Sequence, residues 1–236
     1  MTSLVLVPGL MCDETVWEAQ IEALSDVAAC RVADAGSLDS LGAMAAAILE
    51  EAPPRFALAG HSMGGRVALE VMRKAPERVE KLAILDSNFK PLAAGAAGEQ
   101  EAAGRYRLLA KARKEGVRAM AAEWVQGMIH PDRKSDTALV TAIMDMFERK
   151  TADIFEAQIR ALLNRPDAGP LLADIRVPTL ILCGCEDAWS PVAVHEEMAA
   201  RIASSKLVAV AQSGHMTTME QPGEVGKAMR EWLLSG

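Results

Sequence analysis

Short apolar runs alternate with amphipathic stretches along this chain, stop doing so in its middle, and then resume. That rhythm restricts the fold more than any single motif. "LVLV" (4–7) reads as a strand ending at Pro8-Gly9, and "WEAQIEAL" (17–24) as a helix. "CRVADA" (30–35) is a weak strand; "LGAMAAAILEEA" (41–52) is helical and closed by Pro53-Pro54. "FALAG" (56–60) is the next strand. Residues 63–74 then set Met63, Val67, Val71 and Met72 on one face, with Arg66, Glu70, Arg73 and Lys74 opposite, a 3.6-residue period. "KLAILD" (81–86) is a strand, and so are "PTLILCG" (178–184) and "KLVAVA" (206–211), with helices near 192–203 and at the C-terminal end. Strands that alternate with helices form a mostly parallel sheet with helices on both faces, an α/β fold. Between residues 89 and 170 the alternation fails and helical patterns follow one another. This segment reads as a helical cap inserted between the strands near 81–86 and 178–184. The expected division is a core of 1–88 and 171–236 and a cap of 89–170.

Composition narrows the functional classes. The 236 residues are 50% hydrophobic and 24% charged, with a net charge of −7. An acidic chain without a Lys/Arg run repels nucleic acid. No stretch approaches the roughly 18 apolar residues of a membrane span. The first basic residue is Arg31, so the N-terminal stretch does not read as a signal peptide. Four cysteines without a secretory context read as reduced thiols, and the expected setting is the cytoplasm. Cys183 and Cys185 lie close, but closed zinc sites need four ligands and no second pair completes one. No metal and no cofactor are expected. The expected partner is a small molecule, an ester or acyl substrate, and the oligomeric state stays open.

Parallel sheets of this type bind ligands at the carboxyl ends of their strands. The segments directly after the strands are therefore informative: "PGLMCD", "HSMGG", "DSNF", "CGCEDAWSP" and "AQSGHM". A serine, two candidate acids and a histidine fall on one edge. Gly60-His61-Ser62-Met63-Gly64 fits G-x-S-x-G at a strand-to-helix junction, where the sharp turn exposes a nucleophile. A serine hydroxyl needs a base. His215 is the well-placed one. His61 should be aimed away by the turn, His130 suits a surface or capping role, and His195 should be solvated beside Glu196 and Glu197. The imidazole needs an orienting carboxylate. Asp187 is preferred to Asp86, because Ser…Asp…His is the order that this elbow uses. Glu186 is a neighbouring decoy and Asp86 reads as a turn cap. The oxyanion donors should be the backbone N–H groups of Met63 and of Leu10, with Met11 as the weaker choice.

The sequence resembles the α/β-hydrolase fold superfamily, small serine esterases with a helical cap. "LVLVPGL", "GHSMGG", Gly184-x-x-Asp187-x-x-x-Pro191 and "SGHM…EQP" match it in order, over essentially the whole chain. Pro8-Gly9 stands where many members have His-Gly, and the antiparallel edge strands usual at the start are expected to be absent. The resemblance implies an acyl-serine intermediate in which Ser62 attacks a carbonyl, His215 shuttles the proton and Asp187 holds the imidazole. It leaves three readings: a carboxylesterase for small, fairly apolar esters; a thioesterase, amidase or C–C bond hydrolase or lyase on the same triad; and a non-catalytic ligand receptor. Met11, Trp124, Met128, Trp189 and Met216 are the expected pocket residues, with Leu10 and Cys12 beside them. Arg165 and Asp167 are expected to fix the cap to the core.

Overall fold

Six strands line up in the order β2-β1-β3-β4-β5-β6 in a computed structural model that describes residues 1–235. They are β1 (Thr2–Val7), β2 (Ala28–Val32), β3 (Phe56–His61), β4 (Val79–Leu85), β5 (Thr179–Gly184) and β6 (Ser205–Val210). Every pairing is parallel, which sharpens the mostly parallel sheet that the sequence suggests. Parallel strands need long crossovers, and these carry helices onto both faces. β3 and β5 are accordingly buried along their full length. β2 and β6, at the edges, alternate between more and less exposed positions.

The helices between and after the strands are α1 (Glu18–Ala23), α2 (Leu41–Glu51) and α3 (Met63–Lys74), then α4 (Ala96–Glu115), α5 (Val117–Trp124), α6 (Thr137–Glu148), α7 (Ala152–Leu163) and α8 (Gly169–Leu172), and finally α9 (Val192–Arg201), α10 (Thr217–Glu220) and α11 (Pro222–Leu234). β1 leads to β2 on one side, and β3 returns to the other side of β1. Right-handed crossovers therefore put α1 and α2 on opposite faces. α2 packs with α3, and α1 packs with α11. The reversal at β1 opens a crevice at the carboxyl ends of β1 and β3, the place where such sheets take ligands.

Helices α4 to α8 fill the chain between β4 and β5. Asp136 and Thr151 cap α6 and α7 by accepting from the N–H groups of Leu139 and Ile154. Several long-range bonds tie this segment to the sheet domain. The Arg149 guanidinium donates to Asp13 and Thr15. Gln158 accepts from the Met11 N–H at 2.9 Å and donates to the Gly36 carbonyl at 3.2 Å. Arg73 of α3 donates to the Asp167 carbonyl at 2.8 Å. Arg165 instead binds Glu101 inside the helical segment and the Lys90 carbonyl. No helix is long and apolar enough to cross a membrane among the described residues.

Candidate active site

Ser62 sits between β3 and α3 with φ 54° and ψ −116°. A non-glycine residue at positive φ is strained and persists only where its surroundings fix it. Three bonds do so: the Ser62 N–H donates to the Leu85 carbonyl at 2.8 Å, and the Ser62 carbonyl accepts from the Gly65 N–H at 3.0 Å and the Ser87 hydroxyl at 2.6 Å. The turn is so tight that a Cβ at Gly60 would fall 2.2 Å from the Gly64 carbonyl oxygen, and one at Gly64 would fall 2.0 Å from that of Val7. The first and last glycines of the motif are thus required by packing.

The Ser62 hydroxyl lies 2.8 Å from His215 Nε2, and His215 Nδ1 lies 2.7 Å from Asp187 Oδ2. The other Asp187 oxygen accepts from the N–H groups of Trp189 and Ser190 at 2.8 and 3.0 Å. Burial opposes the Asp187 charge, but the neighbouring His215 charge and hydrogen bond outweigh it and hold the carboxyl below its usual range. In the same way burial disfavours the imidazolium of His215, while Asp187 more than compensates and raises its pKa. The Nδ1–H then points to Asp187 and a bare Nε2 faces the hydroxyl, the arrangement a general base needs.

Asp86 is placed apart from that imidazole's nitrogens. Its Oδ1 accepts from the Gly184 N–H at 3.0 Å and the Thr217 hydroxyl at 2.7 Å, so it clasps β5 to α10. Burial first, and the Asp187 charge second, raise its pKa well above the carboxylate range. Glu186 turns to the Ser213 N–H. His61 lies beside His215, with ring centroids 5.6 Å apart, and makes no bond to the Ser62 hydroxyl; its Nε2–H donates to the His215 carbonyl at 2.9 Å. Burial, with the His215 charge, lowers its pKa to about 3, so it stays neutral. His130 caps a short turn by accepting from the Asp132 N–H.

Two expectations fail. His195 is wholly buried rather than solvated. It accepts from the Ser87 N–H through Nε2 at 3.1 Å, and Ser87 in turn holds the Ser62 carbonyl. The polar neighbours Glu196 and Glu197 conceal that His195 shares the inner face of α9 with Met198. Met11 does not face the cavity. It is fully buried at φ 64°, and its N–H donates to Gln158. Sequence reasoning also missed Glu220, a buried carboxylate that accepts from the N–H groups of His130, Gly214 and Met216 and so shapes the His215 loop. Its only signal was the "EQP" match. The His215 N–H itself donates to the Met128 carbonyl at 2.6 Å.

A cavity of about 520 Å³ opens over Ser62 and His215. Leu10, Met63, Trp124, Met128, Trp189 and Met216 all contribute to its wall. Trp189 packs on His215 at 4.9 Å between ring centroids and stacks on Trp124 at 5.8 Å. Met63 begins α3, where the first N–H groups of a helix lack intrahelical acceptors. In the β1 loop the Met11 N–H is engaged by Gln158 and that of Cys12 by the Gly9 carbonyl. Among the described residues the Leu10 N–H takes no acceptor. No three His, Cys, Asp or Glu side chains gather as a metal site among the described residues.

The sequence model of the alpha/beta hydrolase family matches residues 4–228. The chain belongs to this family. Within it, a 2-succinyl-6-hydroxy-2,4-cyclohexadiene-1-carboxylate synthase of Serratia proteamaculans is 27% identical over 84% of this chain and 76% of that protein. A 2-hydroxy-6-oxononadienedioate/2-hydroxy-6-oxononatrienedioate hydrolase of Klebsiella pneumoniae is 25% identical over 75% of this chain and 61% of that protein. Among solved structures, a thermophilic esterase from Thermogutta terrifontis, with malate bound, superposes with a TM-score of 0.87 at 29% identity, covering 99% of this chain and 89% of that one. The relatives of this chain within the family thus carry the names of a synthase, a hydrolase and an esterase.

Proposed function

We propose that this hydrolase cleaves carboxylic esters of small molecules through an acyl-enzyme on Ser62. The observation that carries the reading is the unbroken line from the Ser62 hydroxyl through His215 to Asp187, with contacts of 2.8 and 2.7 Å, at the floor of a cavity. His215 Nε2 takes the hydroxyl proton as Ser62 Oγ attacks the ester carbonyl. The oxyanion is received by the N–H groups of Met63 and Leu10; one such donor contributes about 3–4 kcal/mol where it has been removed. His215 then gives its proton to the leaving alkoxide. Water enters, loses a proton to the same nitrogen and attacks the acyl carbon; His215 returns that proton to Ser62 Oγ as the bond to it breaks and the acid leaves. Asp187 keeps the ring oriented and offsets its transient charge.

Hydrolysis of a p-nitrophenyl ester panel by wild type and Ser62→Ala tests this. The variant should lose roughly four orders of magnitude or more in kcat/KM, together with labelling by a fluorophosphonate. Activity that survives the substitution overturns the reading. A second reading keeps the triad and changes the bond, and the range of names among the relatives favours testing it. Higher specificity for thioesters or vinylogous diketones than for oxygen esters would select it.

A further inference from the structure

The cavity wall contributed by α3, α4 and the segment after α7 carries more positive charge than it neutralises. Arg66 of α3, Arg105 of α4 and Arg165, just after α7, line the cavity with two carboxylates, Glu101 and Asp86. Asp86 is turned to the Gly184 N–H and the Thr217 hydroxyl and makes no ion pair with an arginine among the described residues. Glu101 is fully engaged. Its two oxygens meet Arg165 at 2.7 and 2.8 Å, and Oε1 also accepts from Arg105 Nε and Nη2 at 3.0 and 2.9 Å. Burial opposes the Glu101 charge, yet these guanidinium groups hold its pKa down at about 2. Arg66 has only the Lys90 carbonyl, at 2.8 Å, and no carboxylate within ion-pair distance among the described residues. A fourth lining arginine, Arg107, turns to Glu123 at 2.5 Å. Of the two carboxylates in the lining, only Glu101 therefore pairs with any of Arg66, Arg105 and Arg165.

A half-buried cation without a counter-ion is costly. Burial, and then the Arg165 charge, pull the Arg66 pKa down to about 9, so it remains charged at neutral pH. The ester mechanism uses none of this charge. Arg66 follows Ser62 by four residues and so sits one helical turn away, about 6 Å along α3. Leu108, Trp124, Phe147 and Leu162 make an apolar wall in the same cavity. The space is thus amphipathic: a reacting centre, a hydrocarbon-lined wall and a guanidinium that feels the Glu101 charge but makes no ion pair, with Asn88 and Gln100 adding hydrogen-bonding capacity.

We propose that Arg66, supported by Arg105 and Arg165, is a carboxylate-binding subsite, and that the substrate is an ester carrying a free carboxylate at its other end, such as a half-ester of a short dicarboxylic acid. The ester part rests on the function proposed above; the subsite does not. A planar guanidinium receives a carboxylate through two parallel hydrogen bonds, which fixes the distance between the acid and the scissile carbonyl. The site then selects chain length as well as charge.

The test compares monomethyl half-esters of succinate through pimelate with the matching terminal amides, which have the same length and no charge. For at least one length, wild type should favour the acid by about tenfold or more in kcat/KM, with the gain falling as salt rises. Arg66→Gln should bring that ratio close to one, and Arg66→Lys should keep part of it. Calorimetry on Ser62→Ala reads the subsite without turnover: the preferred half-ester should bind, and adding Arg66→Gln should abolish binding. Equal rates on acids and amides at every length, with no Arg66-dependent binding, overturn the subsite and leave the esterase reading intact if neutral esters are cleaved. Arg66-dependent binding with no ester cleavage supports the subsite and counts against the esterase reading.

Discussion

The imidazole of His215 has a pKa raised by its neighbour Asp187, and this gives the activity a pH signature. The base must be neutral to accept the Ser62 proton, so kcat/KM should rise with pH through a midpoint above the usual histidine value of about 6.5. Asp187→Asn removes the charge that raises the pKa. The acid limb should then move to lower pH, while kcat falls by about four orders of magnitude because the ring loses its orientation. A limb that stays in place would show that another group sets it. The proximity of Ser62, Asp187 and His215 is legible in the sequence because each follows a strand, and strand ends converge on one edge. His195, Glu220 and Gln158 are not legible in that way. Each acts on a backbone N–H far along the chain or across a loop, and no local spacing encodes such a contact. Arg66 reads as the polar face of α3, and only the helices opposite turn that face into a cavity wall.

Elements follow the sequence where one face decides them. The 63–74 periodicity coincides with α3, whose apolar side packs on the sheet. β2 lies two residues earlier than "CRVADA" suggests, because its register is set by pairing Thr2 with Ala28. α8 and α10 span four residues each, too short for a period to be visible. One helix end depends on a residue far outside it. Arg78 donates to the carbonyls of Leu49, Ala52, Pro53 and Pro54 at 2.7–3.2 Å, and so satisfies the end of α2 and the turn after it. Prolines at 53 and 54 cannot continue the helix, and its last carbonyls need a donor from elsewhere. Arg78→Ala should destabilise the protein by about 2–3 kcal/mol, since hydrogen bonds to a charged group contribute about 1.5–3 kcal/mol. Urea unfolding measures this; an unchanged midpoint would mean that water replaces the guanidinium at no cost.

At the scale of the whole molecule, the parallel sheet and its helical interruption follow from the alternation, whereas the strand order does not. Sequence order places β1 first, yet β1 lies inside the sheet, flanked by β2 and β3, and this position creates the crevice. The helical segment lines the crevice with many side chains, and through Gln158 of α7 it also holds the loop after β1. By accepting from the Met11 N–H it holds the β1 loop in the conformation that leaves the Leu10 N–H without an acceptor. Gln158 is a positioning residue: it touches the loop, not the cavity. Gln158→Leu keeps the volume and removes the acceptor. The buried Met11 N–H then goes unpaired, which costs about 1–3 kcal/mol and drives the loop to find another partner. If Leu10 supplies an oxyanion donor, kcat should fall by about tenfold or more while KM changes little, because that interaction forms only in the transition state. Affinity for a trifluoromethyl ketone, whose adduct on Ser62 bears the same oxyanion, should fall in step with kcat. A loss of stability without loss of ketone affinity would restrict Gln158 to tethering the helices. A parallel fall in both would mean that the helical segment sets the geometry of the oxyanion site across the interface with the sheet.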